Sequence, residues 1–210
     1  MKLIHRTKAD YITTPWKNGG GITTELAIFP AGMTVTDPFV WRISRSQIKS
    51  SGAFSQFPGY ERHILQLDGD KVTLDHGEFG SHDLSPQNPY TFSGDWSTSG
   101  ILQSGPVQDL NCILSRSHCQ GGMQLYNLNA NESLCLKVMA DFTVLHVVTG
   151  SVITETPETT KLMEYDCLIL HKNPNNIDMK STNVTGASDL RIVTIQSCQL
   201  VCMNIKFQKN

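Results

Sequence analysis

The stretch "HILQLDGDKVTL", residues 63–74, decides the fold when it is set beside "LHVVTGSVITE", residues 145–155. Each reads as a strand, a glycine turn and a second strand. Gly69 and Gly150 hold equivalent places, 81 residues apart. Leu67 then matches Val148, Leu65 matches His146 and Val72 matches Ile153. A hairpin that recurs at this distance points to two similar β units in one chain.

Working outward, the hydrophobic period is two rather than 3.6. "ITTELAIF" sets Ile22, Thr24, Leu26 and Ile28 against Thr23, Glu25, Ala27 and Phe29, and "VWRIS" sets Trp41 and Ile43 against Arg42 and Ser44. Turn signals such as "FPAG", "FPGY", "DHGEFG" and "SGPV" punctuate these runs. Short strands between Gly/Pro turns predict an all-β chain of sandwiches or barrels. "RSQIKSSG" is the only helical candidate near the start, and another short turn is expected near residues 175–185. A break at Gly121-Gly122, in "RSHCQGGMQL", divides the chain into a first barrel over residues 1–118 and a second over 119–210, with strands free to be exchanged between them.

Composition narrows the function classes. The 210 residues carry 17 basic and 19 acidic side chains, a net charge of -2. The basic residues are scattered, which argues against nucleic-acid or anionic-membrane partners. No apolar run approaches the ~18 residues of a membrane helix. The apolar part of "MKLIHRTKADYI" is too short for a secretory signal, so the stretch is read as retained and the location as cytoplasmic. The six cysteines form no CxxC pair and sit in apolar contexts such as "YDCLIL", which predicts packing residues in a reducing compartment.

Candidate functional residues are polar side chains inside strands. Glu25, Arg42, Arg62, Asp109 and Asn111 interrupt apolar runs. A charge in a half-buried strand costs several kcal/mol unless paired. Glu25 and Asp109 are the natural partners of Arg42 and Arg62. Alternation alone favours a solvated sheet face, which needs no site; the sharper reading is a polar pocket for an anion, since a guanidinium grips a carboxylate with two parallel bonds. In "PWKNGGGITTEL", residues 15–26, three glycines follow Trp16, Lys17 and Asn18. They let the backbone pass close to a ligand or a neighbouring strand, or they make a bulge or barrel corner.

"PWKNGGGITTEL", "FVWRIS", "GAFSQFPGYERHILQLDGD", "FSGDW" and "GPVQDLNCIL", in that order over residues 15–114, resemble the HutD/Ves family of bicupins. The resemblance implies two double-stranded β-helix (jelly-roll) barrels of the cupin type in a cytoplasmic bacterial protein. In many bacteria such proteins accompany the histidine-utilisation genes, with a proposed role in limiting flux. The matching motif positions are Trp16, Lys17, Asn18, Gly20, Glu25, Arg42, Ser44, Phe57, Pro58, Gly59, Arg62, Asp109 and Asn111. From these, Trp16, Lys17, Asn18, Glu25, Arg42, Ser44, Arg62, Asp109 and Asn111 are expected to bind a small carboxylate, formylglutamate- or urocanate-like. The cupin likeness also allows a homodimer.

No metal or other cofactor is expected. Cupin metal sites take His-x-His followed by Glu, whereas the corresponding hairpin has His63 with Leu65 and the second barrel has His146 with Val148. Both histidines are expected to be hydrogen-bonded core residues. No nucleophile motif occurs, and carboxylates beside two arginines are expected to stay ionised, which suits binding better than proton transfer. The rival expectation is a metal-independent isomerase or hydrolase acting on a similar compound.

Overall fold

The computed structural model describes residues 1–155, 159–172 and 189–208. Strands run in chain order as β1 (Lys2–Arg6), β2 (Ile12–Pro15), β3 (Gly21–Phe29), β4 (Trp41–Ile48), β5 (Gly52–Ala53), β6 (Tyr60–Asp68), β7 (Val72–Asp75), β8 (Ser81–Asp83), β9 (Tyr90–Ser93), β10 (Ser99–Leu102) and β11 (Val107–Ser115). They continue as β12 (Cys119–Leu128), β13 (Ser133–Lys137), β14 (Phe142–Thr149), β15 (Ser151–Glu155), β16 (Thr160–Met163), β17 (Cys167–His171), β18 (Asp189–Thr194) and β19 (Cys198–Phe207). Two three-residue 3-10 turns are the only helical elements among the described residues.

The chain divides into two compact units. One spans residues 11–120; the other joins residues 1–10 to those from 121 onward. In the first unit a six-stranded sheet, β2-β3-β4-β11-β6-β9, accompanies a four-stranded sheet, β5-β10-β7-β8. In the second, β1-β17-β14-β19-β12 accompanies β13-β18-β15-β16. Every pair whose register is defined is antiparallel, and each unit is a two-sheet jelly roll of the cupin type.

The first ten residues thus leave the segment that a boundary at 118 assigns them to. β1 pairs with β17 over Lys2↔His171 to Arg6↔Cys167, and Leu3 packs on the apolar core of the second unit. "RSQIKSSG" is not helical: Arg45–Ile48 complete β4, because their backbone pairs with β3 on one side and β11 on the other. The turn expected near 175–185 lies outside the described residues.

The repeated hairpin is present in both units. Gly69 and Gly150 take φ of +95° and +81°. A Cβ at Gly69 would lie 2.6 Å from the Pro106 carbonyl, and one at Gly150 2.5 Å from that of Ser197, so both turns close against the strand that follows in the sheet. A one-residue bulge accompanies each turn: pairing skips Leu67 opposite β11 and Val148 opposite β19.

Candidate functional site

Side-chain alternation on β3, β4, β11 and β6 builds the floor of a cavity inside the first unit. Register places Thr23, Ser46, Asp109 and Gln66 in one row across the sheet, and Glu25, Ser44, Asn111 and Ile64 in the next. A bulge in β3 between Glu25 and Ala27 then shifts the phase, so the third row reads Ile28, Arg42, Ile113, Arg62 and Phe92. Both arginines therefore rise from one row with Ile113 between them.

The cavity has a volume of about 670 Å³. All nine residues expected to bind a ligand line it: Trp16, Lys17, Asn18, Glu25, Arg42, Ser44, Arg62, Asp109 and Asn111. Its walls are mainly apolar, from Ile12, Pro15, Trp16, Met33, Val35, Phe54 and Phe57. Trp16 meets Phe54 edge-on at 6.4 Å and donates from Nε1 to Thr23 Oγ1 at 2.7 Å. Lys17 and Asn18 are exposed, and Asn18 spends its Oδ1 on the Gly20 amide at 3.0 Å. The glycine run serves close approach to a neighbouring strand: a Cβ on Gly21 would lie 2.5 Å from the Gln47 carbonyl and 3.1 Å from the Trp16 ring.

The two arginines are held differently. Arg42 Nε donates to Glu25 Oε2 at 2.8 Å, the ion pair anticipated from the sequence. Arg62 makes no direct pair with Asp109. Its Nη2 donates to Asn111 Oδ1 at 2.7 Å, and Asn111 Nδ2 in turn donates to Asp109 Oδ1, so an amide relays between the charges. Arg62 Nη1 donates to the Ser55 carbonyl at 3.3 Å, and its guanidinium carbon stands 4.9–5.6 Å from the rings of Phe92, Phe54 and Phe57. Its Nε is buried and meets no protein acceptor.

Burial governs the electrostatics. Asp109 is 1% exposed. Desolvation pushes its carboxyl up to about 7, against the pull of Arg62, the Asn111 and Ser46 hydrogen bonds and Arg45. The expectation that carboxylates beside two arginines stay ionised meets an opposing effect at Asp109, where burial outweighs the pull of Arg62 and raises the carboxyl. Burial also lowers Arg62 to about 10; Asp109 opposes that shift and Arg42 adds to it.

The histidines named from the sequence are internal. His63 bonds Thr91 Oγ1 at 2.8 Å, and His146 bonds the Cys167 thiol at 3.2 Å. Among the described residues no group of three or more His, Cys, Asp or Glu is arranged to hold a metal. None of the six cysteines forms a disulfide, and five are buried.

Sequence reasoning misses Thr23, Ser46, Phe54, Ser55 and the segment at residues 33–35. Thr23 and Ser46 stand two residues from Glu25 and Ser44 on the same strand faces, so strict alternation contains the signal for them. Phe57 lies among the family's motif positions, and its place in the cavity wall adds it to the site. Nothing in the local pattern of Met33, Thr34 and Val35 marks them as cavity residues.

A cupin barrel with two arginines rising from its inner sheet face into an apolar-walled cavity is the class of protein that fold and site define. The family model for HutD matches residues 8–189, and the chain belongs to that family. It is 34% identical over 168 residues to an uncharacterised 21.2 kDa protein in the hutC 3′ region of Pseudomonas putida, covering 78% of this chain and 84% of that one. It is 37% identical over 111 residues to protein Ves of Citrobacter koseri, covering 52% of this chain and 56% of that protein. Among solved structures it is similar to HutD from Pseudomonas fluorescens SBW25 (formate condition), with a TM-score of 0.74, 28% identity and coverage of 99% of this chain and all of that one.

Proposed function

We propose that the first barrel binds a small carboxylate without a metal, on Arg42 and Arg62, and that the protein thereby senses a carboxylate or formylated intermediate of histidine breakdown and limits flux through that pathway. The observation that carries this reading is the Arg62 Nε, a buried donor in the cavity lining with no protein acceptor. A buried charged donor left without a partner is costly, and an anion would satisfy it. Arg42 is restrained by Glu25 at its Nε, which leaves its terminal nitrogens, one of them 3.5 Å from Ser44 Oγ, to share the same guest. The relative whose structure is described as a formate condition, and the relative in a hutC region, are consistent with this choice of ligand class.

Thermal shift with formate, formylglutamate and urocanate tests it. A ligand at a hundred times its dissociation constant adds about 2.7 kcal/mol, and Arg62→Ala abolishes the shift. No shift from any of the three in the wild type removes this reading.

One observation favours a second reading, a metal-independent isomerase or hydrolase acting on the same class of compound. Asp109 faces the cavity with no direct ion pair and a carboxyl raised to about 7, the range that suits a general acid or base. Glu25, tied to Arg42, is the poorer choice. Turnover that is lost in Asp109→Asn while binding survives would select this reading over a binding role.

A further inference from the structure

The turn after β9 contributes no residue to the cavity lining, yet it is bolted to the loop that does. Gly94 accepts from the Phe57 amide and donates to the Tyr60 carbonyl, both at 2.8 Å. Asp95 Oδ1 accepts from the Gly59 amide at 2.7 Å, while its Oδ2 accepts from Ser93 Oγ at 2.8 Å and from Arg116 Nη2. Arg116 Nη1 donates onward to the Tyr60 carbonyl at 2.8 Å, and its backbone amide donates to the Gly59 carbonyl at 3.0 Å. The clamped loop, residues 54–59, supplies three of the features that hold the Arg62 guanidinium: the Ser55 carbonyl and the Phe54 and Phe57 rings.

We propose that Asp95 is a positioning residue of the anion site: with Arg116 it clamps the loop that aims Arg62 into the cavity. The inference rests on the carboxylate reading above for its purpose, though not for its geometry. An exposed ion pair alone is worth little. Here the carboxylate also accepts from a backbone N–H at a glycine with φ of +85°, and it joins three chain segments, residues 59–60, 93–95 and 116. Gly59 holds Asp95 well down, to about 2, with Ser93 and Arg116 adding, so the clamp stays charged throughout the physiological range.

The test uses the full chain labelled with 15N, reading the Nε–H resonances of Arg62 and Arg42 together with formate affinity by calorimetry. Asp95→Ala should move or broaden the Arg62 resonance, leave that of Arg42 in place, and weaken formate by about tenfold or more, the scale of one lost charged hydrogen bond. A folded Asp95→Ala with an unchanged Arg62 resonance and unchanged affinity overturns the proposal, as does equal disturbance of both arginines, which would mean general loosening. Should Asp95→Ala fail to fold, Arg116→Gln, which keeps the bond to Gly59, is measured in the same way, and the same results uphold or overturn the clamp. If the wild type takes none of formate, formylglutamate and urocanate, the carboxylate reading falls, and the resonance decides by itself: a selective shift at Arg62 upholds the clamp, and none ends it.

Discussion

The two barrels share a hairpin, a glycine turn and a bulge, and they differ in what they put behind them. Counting from Gly69 and Gly150, Arg62, Ile64 and Gln66 on β6 correspond to Thr143, Leu145 and Val147 on β14. Their partners Ile113, Asn111 and Asp109 on β11 correspond to Asn204, Cys202 and Leu200 on β19. In the second unit Leu145, Val147, Leu200 and Cys202 belong to one continuous apolar core. In the first, the same sheet face carries Arg62, Asp109 and Asn111, and the apolar side chains are parted into two smaller groups, around Ile64 and around Ile28. The fold needs none of these charges, since at the matching places the second barrel keeps one neutral pair, Thr143 Oγ1 donating to Asn204 Oδ1 at 2.9 Å, and is otherwise apolar. Charged groups confined to one copy of a repeated framework are a mark of ligand chemistry rather than of stability.

The most forceful way to break that comparison is to exchange the interiors. Leu200→Asp puts a lone carboxyl where the second barrel offers only apolar neighbours, and should cost about 3–5 kcal/mol in chemical denaturation. The converse triple change, Arg62→Thr with Asp109→Leu and Asn111→Cys, should stay within about 2 kcal/mol of the wild type, because buried ionic groups exchanged together for apolar ones are often neutral or better. It should also abolish carboxylate binding. A severe loss of stability from the triple change would make the polar floor a structural necessity and remove the contrast.

A smaller effect tests what the barrels have in common. Gly69→Ala and Gly150→Ala each force a side chain into positive φ and against a carbonyl at 2.6 and 2.5 Å. Each should cost about 2–3 kcal/mol, and by similar amounts. A tolerated alanine at either place would show that the two turns only look alike.

Much of this is open to reading in the sequence, for physical reasons that separate it from the rest. The glycine hairpin is legible because only glycine takes that backbone, so the residue type reports the geometry. Arg42 with Ser44, and Asp109 with Asn111, are legible because a period of two fixes the face and a charge in an apolar strand has to be accounted for. The bulge between Glu25 and Ala27 is not, since "ITTELAIF" alternates straight through it. That bulge decides which residue shares a row with Arg42. The Asn111 relay is hidden for another reason: opposite charges suggest direct pairing, and the intervening amide comes from β11 itself, placed by the register of that strand against β6. "KLIHR" carries too few residues to announce which barrel it joins, and the cavity wall at residues 33–35 depends on a loop path that no local pattern encodes.

The finest test of the contrast is in proton linkage. Asp109 has a folded-state value of about 7 against an ordinary 3.8. Between those values the folded chain holds a proton that the unfolded chain has released. The group's contribution to stability is therefore full below the ordinary value and is lost as pH rises through about 7, with a slope of at most about 1.4 kcal/mol per pH unit. Asp109→Asn removes this slope, so the difference in stability between wild type and variant should change with pH across that window and level off on the alkaline side. Leu200→Asn, at the matching place in the second barrel, removes no titrating group and should run parallel to the wild type. Denaturation curves for the three proteins from about pH 5 to 8 decide the matter. If wild type and Asp109→Asn run parallel as well, Asp109 is ionised throughout, its charge is met by Arg62 through Asn111 after all, and the general-acid reading loses its only support.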